Sequence, residues 1–182
     1  MKSLIVYCSS HGTTSKAALL LRKELEGDVV VVNLNRTKLH SDIGLFDTVI
    51  IGGSIHAGNI QNKVRKFIKE NSADLMTKNI GLFLCCMREG REAEQQFEGA
   101  FPCALRDRAI ANGIFGGEFL VSKMNFIEKQ IVKRVGGVTE DTCRLNTQAI
   151  QDFADVLNRW HIQAEASMYS LEPSCSPALS LY

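Results

Sequence analysis

The first feature of the sequence that could do chemistry is a short run of small hydroxyl residues between an apolar stretch and a helical pattern. It consists of Ser9, Ser10, His11, Gly12, Thr13 and Thr14. Backbone N–H groups in such a run can converge on an anion, and a helix starting at Thr13 or Thr14 adds unpaired N–H groups and a positive dipole end. The run holds no lysine or arginine, so it predicts a phosphate site based on hydrogen bonds. The alternative is a helix start capped by serine or threonine, without a ligand.

The same residues exclude two common phosphate loops. The run does not end in the Gly-Lys-Ser/Thr of a nucleoside-triphosphate loop, and it lacks the Gly-x-Gly-x-x-Gly of a dinucleotide-binding fold. A phosphate bound here would be held by neutral donors at a single helix start.

Two further loops follow apolar runs and carry small or soft side chains. The second loop contains Ser54, Ile55, His56, Ala57, Gly58 and Asn59, and the third contains Cys86, Met87 and Arg88. Small residues at the carboxyl end of a strand let a flat ligand approach the backbone, and Gly58 can adopt an unusual torsion. An ordinary glycine turn, an exposed His56 and a solvated Arg88 are the alternatives.

These loops lie between apolar runs and helical patterns that alternate along the chain. Apolar runs cover 4–8, 29–34, 48–51, 80–85 and, more weakly, 114–120, and helical spacing covers 14–26, 61–71, 102–112 and 147–161. Continuous apolar runs are typical of strands that are covered on both faces. The pattern predicts a doubly wound α/β domain with ligands at the carboxyl ends of its strands. The polar stretch 87–101 is expected to form a long loop or a short helix.

Two segments stand apart from this alternation. Residues 122–137 predict an amphipathic helix with Ile127, Ile131 and Val135 on one side and four cations elsewhere, ending at two glycines. Such a helix can lie at a membrane surface, gather the carboxylates of a substrate, or pack on the core with a solvated basic face. Residues 165–182 are rich in serine and proline and are expected to be a weakly ordered tail after a domain spanning 1–164.

Composition bounds the class of protein. The chain has 182 residues, 45% of them hydrophobic, and its 21 basic residues against 20 acidic ones give a net charge of +1. A domain of this length can bury a full core, and the near-neutral balance argues against nucleic-acid binding. No apolar stretch approaches about 18 residues, and the N-terminus does not resemble a signal peptide. We therefore expect a cytoplasmic protein without a membrane span.

The six cysteines are expected to be reduced thiols. They show no Cys-x-x-Cys and no zinc-like spacing with histidine, so neither a disulfide framework nor a metal site is predicted. Most are expected to be small buried residues, with a redox role for the adjacent Cys85 and Cys86 as the alternative.

The run Ser-Ser-His-Gly-Thr-Thr resembles the FMN-phosphate loop of flavodoxins, which has the form Ser/Thr-x-x-Gly-x-Thr. The resemblance implies a flavodoxin-like five-stranded parallel sheet of order 2-1-3-4-5 with helices on both faces. It also implies FMN as the cofactor, with the phosphate in the first loop and the ring between the second and third. A peptide at Gly58 that can turn over would meet the flavin N5, and Arg88 would steady the reduced ring or meet an acidic substrate.

Residues 50–58 and 128–144 are similar to those of the menaquinone-dependent protoporphyrinogen oxidases, a subgroup with the same fold and a basic insert. The similarity spans most of residues 1–160 and implies FMN-dependent oxidation of protoporphyrinogen IX in haem synthesis, with a quinone as acceptor. Contact of the insert with the inner face of the membrane would suit that acceptor. The chain departs from the subgroup at Ala57, where an aromatic can occur, and in the insert, whose main bulky groups are Phe119, Met124 and Phe126.

Three other functions are alternatives to protoporphyrinogen oxidation. They are a flavodoxin-type electron carrier serving a redox protein, a general NAD(P)H:quinone reductase, and a partner-binding module without flavin. Such carriers are usually acidic, whereas this chain is nearly neutral, and the intact hydroxyls of the first loop argue against the module. No Ser-His-Asp, Cys-His or paired-carboxylate pattern is present, so no catalytic acid or base is assigned and the oligomeric state is left open.

Overall fold

The computed structural model describes residues 1–37, 42–56, 58–119 and 142–169. Its parallel strands are β1 (Lys2–Tyr7), β2 (Asp28–Asn33), β3 (Thr48–His56), β5 (Asn79–Cys85) and β6 (Ala111–Ile114), in the spatial order β2-β1-β3-β5-β6. The short strand β4 (Asn59–Ile60) pairs antiparallel with the end of β3, and β7 (Glu118–Phe119) pairs antiparallel with β8 (Thr142–Cys143). Counted among the parallel strands alone, the order is 2-1-3-4-5, which confirms the predicted doubly wound α/β fold.

Helices cover both faces of the sheet, as predicted. They are α1 (Thr13–Glu24), α2 (Asn62–Glu70), α3 (Ser72–Leu75), α4 (Gly90–Ala100), α5 (Cys103–Arg108) and α6 (Thr147–Tyr169), with a 3₁₀ turn at Ile43–Leu45. The apolar residues of α1 and α6 pack on one face of the sheet, and those of α2 to α5 pack on the other. Alternate residues of each strand serve the two faces, so Leu4 and Val6 lie in one core and Ile5 and Tyr7 in the other. This double burial explains the continuous apolar runs.

The fifth parallel strand lies earlier than predicted. The sequence favoured 114–120, whereas β6 covers Ala111–Ile114. Gly116 has a φ of +71°, a left-handed conformation that ends the extended chain just after Phe115. Because β6 begins at Ala111, the preceding helix is also shorter than the predicted 102–112.

Helix α4 corrects a second prediction. The polar stretch expected to be a long loop or a short helix forms 11 residues of helix from Gly90 to Ala100. Ala93, Phe97 and Ala100 are buried at three- and four-residue spacing, which is enough to fix a helix whose other positions are polar.

Helix α6 continues to Tyr169 instead of ending at 161. The first residues of the segment expected to be a weakly ordered tail are therefore helical. The amphipathic helix predicted over 122–137 and the rest of that tail, 170–182, lie outside the described residues.

The cysteines whose side chains the structure describes are free thiols: Cys8, Cys85, Cys86 and Cys103. The first three are buried and only Cys103 is exposed. Burial raises the pKa of the Cys86 thiol, so it is protonated and unreactive at neutral pH.

Cys103 is expected to alkylate faster when Asp107 is neutralised. Its Sγ donates a hydrogen bond to Oδ2 of Asp107 at 3.1 Å, and that bond, together with the carboxylate's charge, raises the thiol pKa. In Asp107→Asn the pKa falls, so more thiolate is present at any given pH and the rate profile moves to lower pH. Peptide-resolved mass spectrometry of iodoacetamide labelling measures this at Cys103. If the pH profile of labelling is the same in Asp107→Asn, Asp107 does not raise the pKa of the Cys103 thiol.

Candidate functional site

The first loop is held in a turn by its own hydroxyl and by a neighbouring strand end. The Gly12 N–H donates to Oγ of Ser9 at 3.2 Å, and Nδ2 of Asn35 donates to the carbonyl of Ser9 at 3.0 Å. Gly12 has a φ of +103°, which favours glycine. No atom lies within 4 Å of where a Cβ at Gly12 would stand, so the loop presents open space at this point.

Helix α1 begins directly at the loop. Its N-cap is Gly12, which has no side chain to cap the helix, and no acidic residue occupies the first turn. The first backbone N–H groups therefore face the loop with a positive dipole end and without a capping side chain from the N-cap position. The hydroxyl residues Thr13 and Thr14 are buried just behind it. The N-cap position itself holds glycine, and the hydroxyl that bonds near this helix start is that of Ser9, which accepts from the Gly12 N–H.

The second loop forms the tip of a tight hairpin between the end of β3 and β4. His56 pairs with Asn59 and Ile55 with Ile60 across β3 and β4. Gly58 has a φ of +80° and open space around its Cβ position. Ala57 lies outside the described residues, so its predicted role is carried forward from the sequence alone.

A side-chain amide joins the first and second loops. Nε2 of Gln61 donates to the Cys8 carbonyl at 3.3 Å and to Oγ of Ser54 at 2.6 Å. In return the Ser54 N–H donates to Oε1 of Gln61 at 2.9 Å. These three bonds, which we call the Gln61 bridge, connect the carboxyl end of β1 to that of β3.

The same two loops also meet through their histidines. The rings of His11 and His56 stack with centroids 5.7 Å apart and planes 30° apart. Nε2 of His56 lies 3.3 Å from Oγ of Ser54, so the imidazole is attached to the Gln61 bridge through that hydroxyl. The structure thus brings together two predicted site residues from different loops.

The three side chains of the third loop differ in their exposure to solvent. The Cys86 side chain is buried in the core, so only its backbone can face a ligand, whereas Met87 is half-buried. Arg88 is exposed and pairs with Glu92 at 3.2 Å. On the side of this loop towards β6, a cleft of about 330 Å³ is bounded by Ile114 and the segment that follows it.

Topology places all three loops at one edge. They lie at the carboxyl ends of β1, β3 and β5, which are adjacent in the sheet, and the register aligns Tyr7 with Gly52 and Ser54 with Cys85. Strand β3 is longer than the predicted 48–51, so the second-loop residues 54–56 are strand. Ligands of open α/β sheets bind at this edge, outside the carboxyl ends of the strands.

The sequence of the chain matches a known domain family over most of its length. The family model described as a flavodoxin domain covers residues 4–145. The chain belongs to the flavodoxin-domain family. No curated protein matches its sequence significantly.

Solved structures share the fold at low identity. Rubredoxin oxygen:oxidoreductase from Desulfovibrio gigas matches with a TM-score of 0.55 and 16% identity, over 91% of this chain and 37% of that one. The flavodiiron protein from Giardia intestinalis has a TM-score of 0.51 and 17% identity, over 89% of this chain and 37% of that one. A short-chain flavodoxin associated with a non-canonical PDU bacterial microcompartment has a TM-score of 0.54 and 14% identity, over 88% of this chain and 99% of that one. The chain therefore spans little more than a third of the first two proteins.

Three polar residues around the first loop of this flavodoxin domain were missed by the sequence analysis: Gln61, Asn35 and Lys63. Nζ of Lys63 donates to the Leu34 carbonyl at 3.1 Å. Burial raises the pKa of the Cys8 thiol, and the positive charge of Lys63 and a hydrogen bond with Asn35 oppose that rise. The positive charge of Lys63, on α2, therefore lies near the start of the first loop, which has no lysine or arginine of its own. Position was an available signal for Asn35, which directly follows the predicted strand 29–34, whereas Gln61 and Lys63 follow the short strand β4, which the sequence pattern did not indicate.

The described part of this flavodoxin domain contains neither a metal-binding cluster nor a membrane-spanning helix. Across residues 1–37, 42–56, 58–119 and 142–169, no group of three or more His, Cys, Asp or Glu side chains is placed to hold a metal ion. Among the helices described there, none combines the length and apolar character that crossing a bilayer requires.

Proposed function

We propose that this flavodoxin domain binds FMN and is an oxidoreductase of the protoporphyrinogen dehydrogenase type, with a quinone as electron acceptor. The observation that carries the flavin assignment is the start of α1 at Gly12, an N-cap residue without a side chain and with open space beside it, at the edge where the second and third loops also lie. The substrate assignment is supported by the sequence resemblance over 50–58 and 128–144.

The first loop fits a phosphate monoester. The phosphate would be held by backbone N–H groups at the start of α1 and by the hydroxyls of Ser9, Ser10, Thr13 and Thr14, beside His11. The open space at Gly12 leaves room for the phosphate oxygens. The first turn carries no acidic side chain to repel them, and Lys63 adds positive charge nearby.

The second and third loops fit a flat ring. The hairpin residues Ser54, Ile55, His56, Ala57, Gly58 and Asn59 would lie on one side of it, and Cys86, Met87 and Arg88 on the other. Gly58 leaves its backbone accessible, and the half-buried Met87 offers a soft apolar surface. Arg88 is exposed and keeps its charge close to the edge where an acidic substrate would arrive.

When bound, FMN would supply the exchange of electrons between the donor and the acceptor. The residues of the chain bind it, orient it and set its electrostatic surroundings. In this proposal Arg88, in the loop following β5, would lie at the edge of the site, and the Gly58 peptide of the hairpin would face the ring.

An electron carrier without a substrate of its own is the second candidate. The observation that favours it is the extent of the match to the short-chain flavodoxin, which this chain spans over 99% of its length. The matched part of the flavodiiron protein is only 37% of that larger chain. The fold of this chain therefore suits such a carrier, whereas its near-neutral net charge differs from the acidic docking face that carriers usually have.

Absorbance and turnover together test the proposal. The purified protein is expected to be yellow, or to become so on addition of FMN, and to oxidise protoporphyrinogen with a menaquinone analogue. Flavin absorbance without porphyrinogen turnover would favour the carrier, and turnover only with NAD(P)H and quinone would indicate a general quinone reductase. A colourless protein that does not take up FMN would reject the flavin assignment.

A further inference from the structure

We infer that Gln61 is a positioning residue that holds the phosphate loop and the second loop at the separation FMN requires. This rests on the proposed function, because it assigns a role in holding that cofactor. Gln61 was not selected by the sequence analysis. In the structure its side chain contacts the ends of two neighbouring strands, through Cys8 and Ser54.

The orientation of the amide follows from its backbone partners. The Ser54 N–H can only donate, so the atom facing it must be Oε1 of Gln61. The Cys8 carbonyl can only accept, so the atom facing it must be Nε2. The amide cannot be turned over without losing both bonds, which makes it a directional connection.

The Ser54 hydroxyl extends this connection into the second loop. Nε2 of Gln61 can only donate, so Oγ of Ser54 accepts from it at 2.6 Å. The hydroxyl proton of Ser54 can then be donated to Nε2 of His56, 3.3 Å away. His56 in turn stacks on His11 of the first loop. The contacts therefore form a closed path from β1 through Gln61, Ser54 and the two histidines back to the first loop.

The backbone around Gln61 favours this use of its side chain. Gln61 is the N-cap of α2, and its carbonyl accepts the first bond of that helix from the Val64 N–H at 3.0 Å. Its side chain makes no cap bond to α2 and turns back towards β3 instead. A Cβ at Gly53 would stand 2.9 Å from Oε1 of Gln61 and 2.7 Å from the Ile60 side chain. The absence of a side chain at Gly53 is therefore what lets the amide lie against the strand.

Titration of the apoprotein with FMN tests the inference directly. Gln61→Ala removes all three bonds and is expected to weaken FMN binding by about tenfold or more, from the usual contribution of such bonds. Gln61→Glu keeps the shape and the acceptor for the Ser54 N–H but removes both donated bonds, so it should weaken binding as well. Asn71→Ala is the matched control, because that amide donates to the Phe67 carbonyl at the other end of α2, away from the loops.

A double-mutant cycle separates positioning from general loosening. If Gln61 acts through Ser54, the losses of FMN affinity in Gln61→Ala and Ser54→Ala should not add in the double variant. Thermal unfolding of each apoprotein is measured alongside, and the loss of affinity in Gln61→Ala and Gln61→Glu should exceed that in Asn71→Ala at equal stability. Should Gln61→Ala fail to fold, Gln61→Glu in the same cycle decides the matter.

The outcomes distinguish this inference from the proposed function. If the unaltered protein does not bind FMN, the flavin assignment fails and this inference falls with it. If it binds FMN and both Gln61 variants bind equally well, only the positioning role is overturned. Losses that add with Ser54→Ala, or that match Asn71→Ala at equal stability, overturn it also.

Discussion

FMN affinity is expected to fall by about a hundredfold or more when Gly12, Thr13 and Thr14 are all replaced by valine. A hydrogen bond to a charged group contributes about 1.5–3 kcal/mol, and the two threonine hydroxyls are lost together. Valine at Gly12 adds a side chain in the open space before the loop. It also places a branched residue at a φ of +103°, a left-handed conformation that costs about 1–2 kcal/mol without glycine. Fluorescence titration with FMN measures the loss.

Riboflavin is the matched ligand for this experiment, because it has the same ring and lacks the phosphate. Its affinity should change little in the valine variant if the first loop holds the phosphate. Equal losses for riboflavin and FMN would mean that the substitutions loosen the whole domain. Full retention of FMN would reject the phosphate site, and the oxidoreductase proposal with it.

The strands were predictable because double burial leaves a strong pattern. Leu4 to Cys8 is apolar throughout and Ile80 to Cys85 is apolar except at Gly81, and the structure buries both faces of these strands. A parallel sheet then places its loops at one edge, so the neighbourhood of Gly12 and Gly58 followed from their positions after strands. These inferences need only local composition and one rule of topology.

Other features depend on tertiary contacts that leave little local signal. Helix α4 buries only Ala93, Phe97 and Ala100 in the core. Three apolar residues among polar ones are too few to distinguish a helix from a polar loop by sequence alone. The end of β6 depends on the left-handed Gly116, where a Cβ would stand 2.0 Å from the Arg144 carbonyl oxygen. That contact joins residues far apart in sequence and cannot be deduced from either alone.

The Gln61 bridge shows the same limit within the site. Residues Cys8, Ser54 and Gln61 come from three segments, and only the folded sheet brings their polar atoms within hydrogen-bond distance. The sequence marked the loops as hydroxyl-rich but did not indicate which side chain would connect them. A glutamine at a helix start is ordinarily read as a solvated N-terminal residue.

Gly52→Ala is expected to destabilise the domain by about 1–3 kcal/mol or more, because the added methyl has no room. The Cβ would stand 2.0 Å from Cζ of Phe83 and within 2.5 Å of two other ring atoms. Phe83 is fully buried and stacks on Phe115 at 4.9 Å, while Phe115 packs edge-on against Phe153 at 5.3 Å. The ring can therefore move only by displacing the aromatic core between the sheet and α6.

Gly99→Ala adds the same methyl group but is expected to raise the free energy of unfolding instead of lowering it. Gly99 lies exposed on α4, and no atom is within 4 Å of its Cβ position, so alanine should stabilise the helix by about 0.5–1 kcal/mol. Urea unfolding of the two variants measures both effects. An unchanged midpoint in Gly52→Ala would show that Phe83 is not confined as the structure places it. A large loss of unfolding free energy in Gly52→Ala but not in Gly99→Ala would show that close packing of Phe83 on β3 stabilises this strand. The same strand ends in the residues of the second loop.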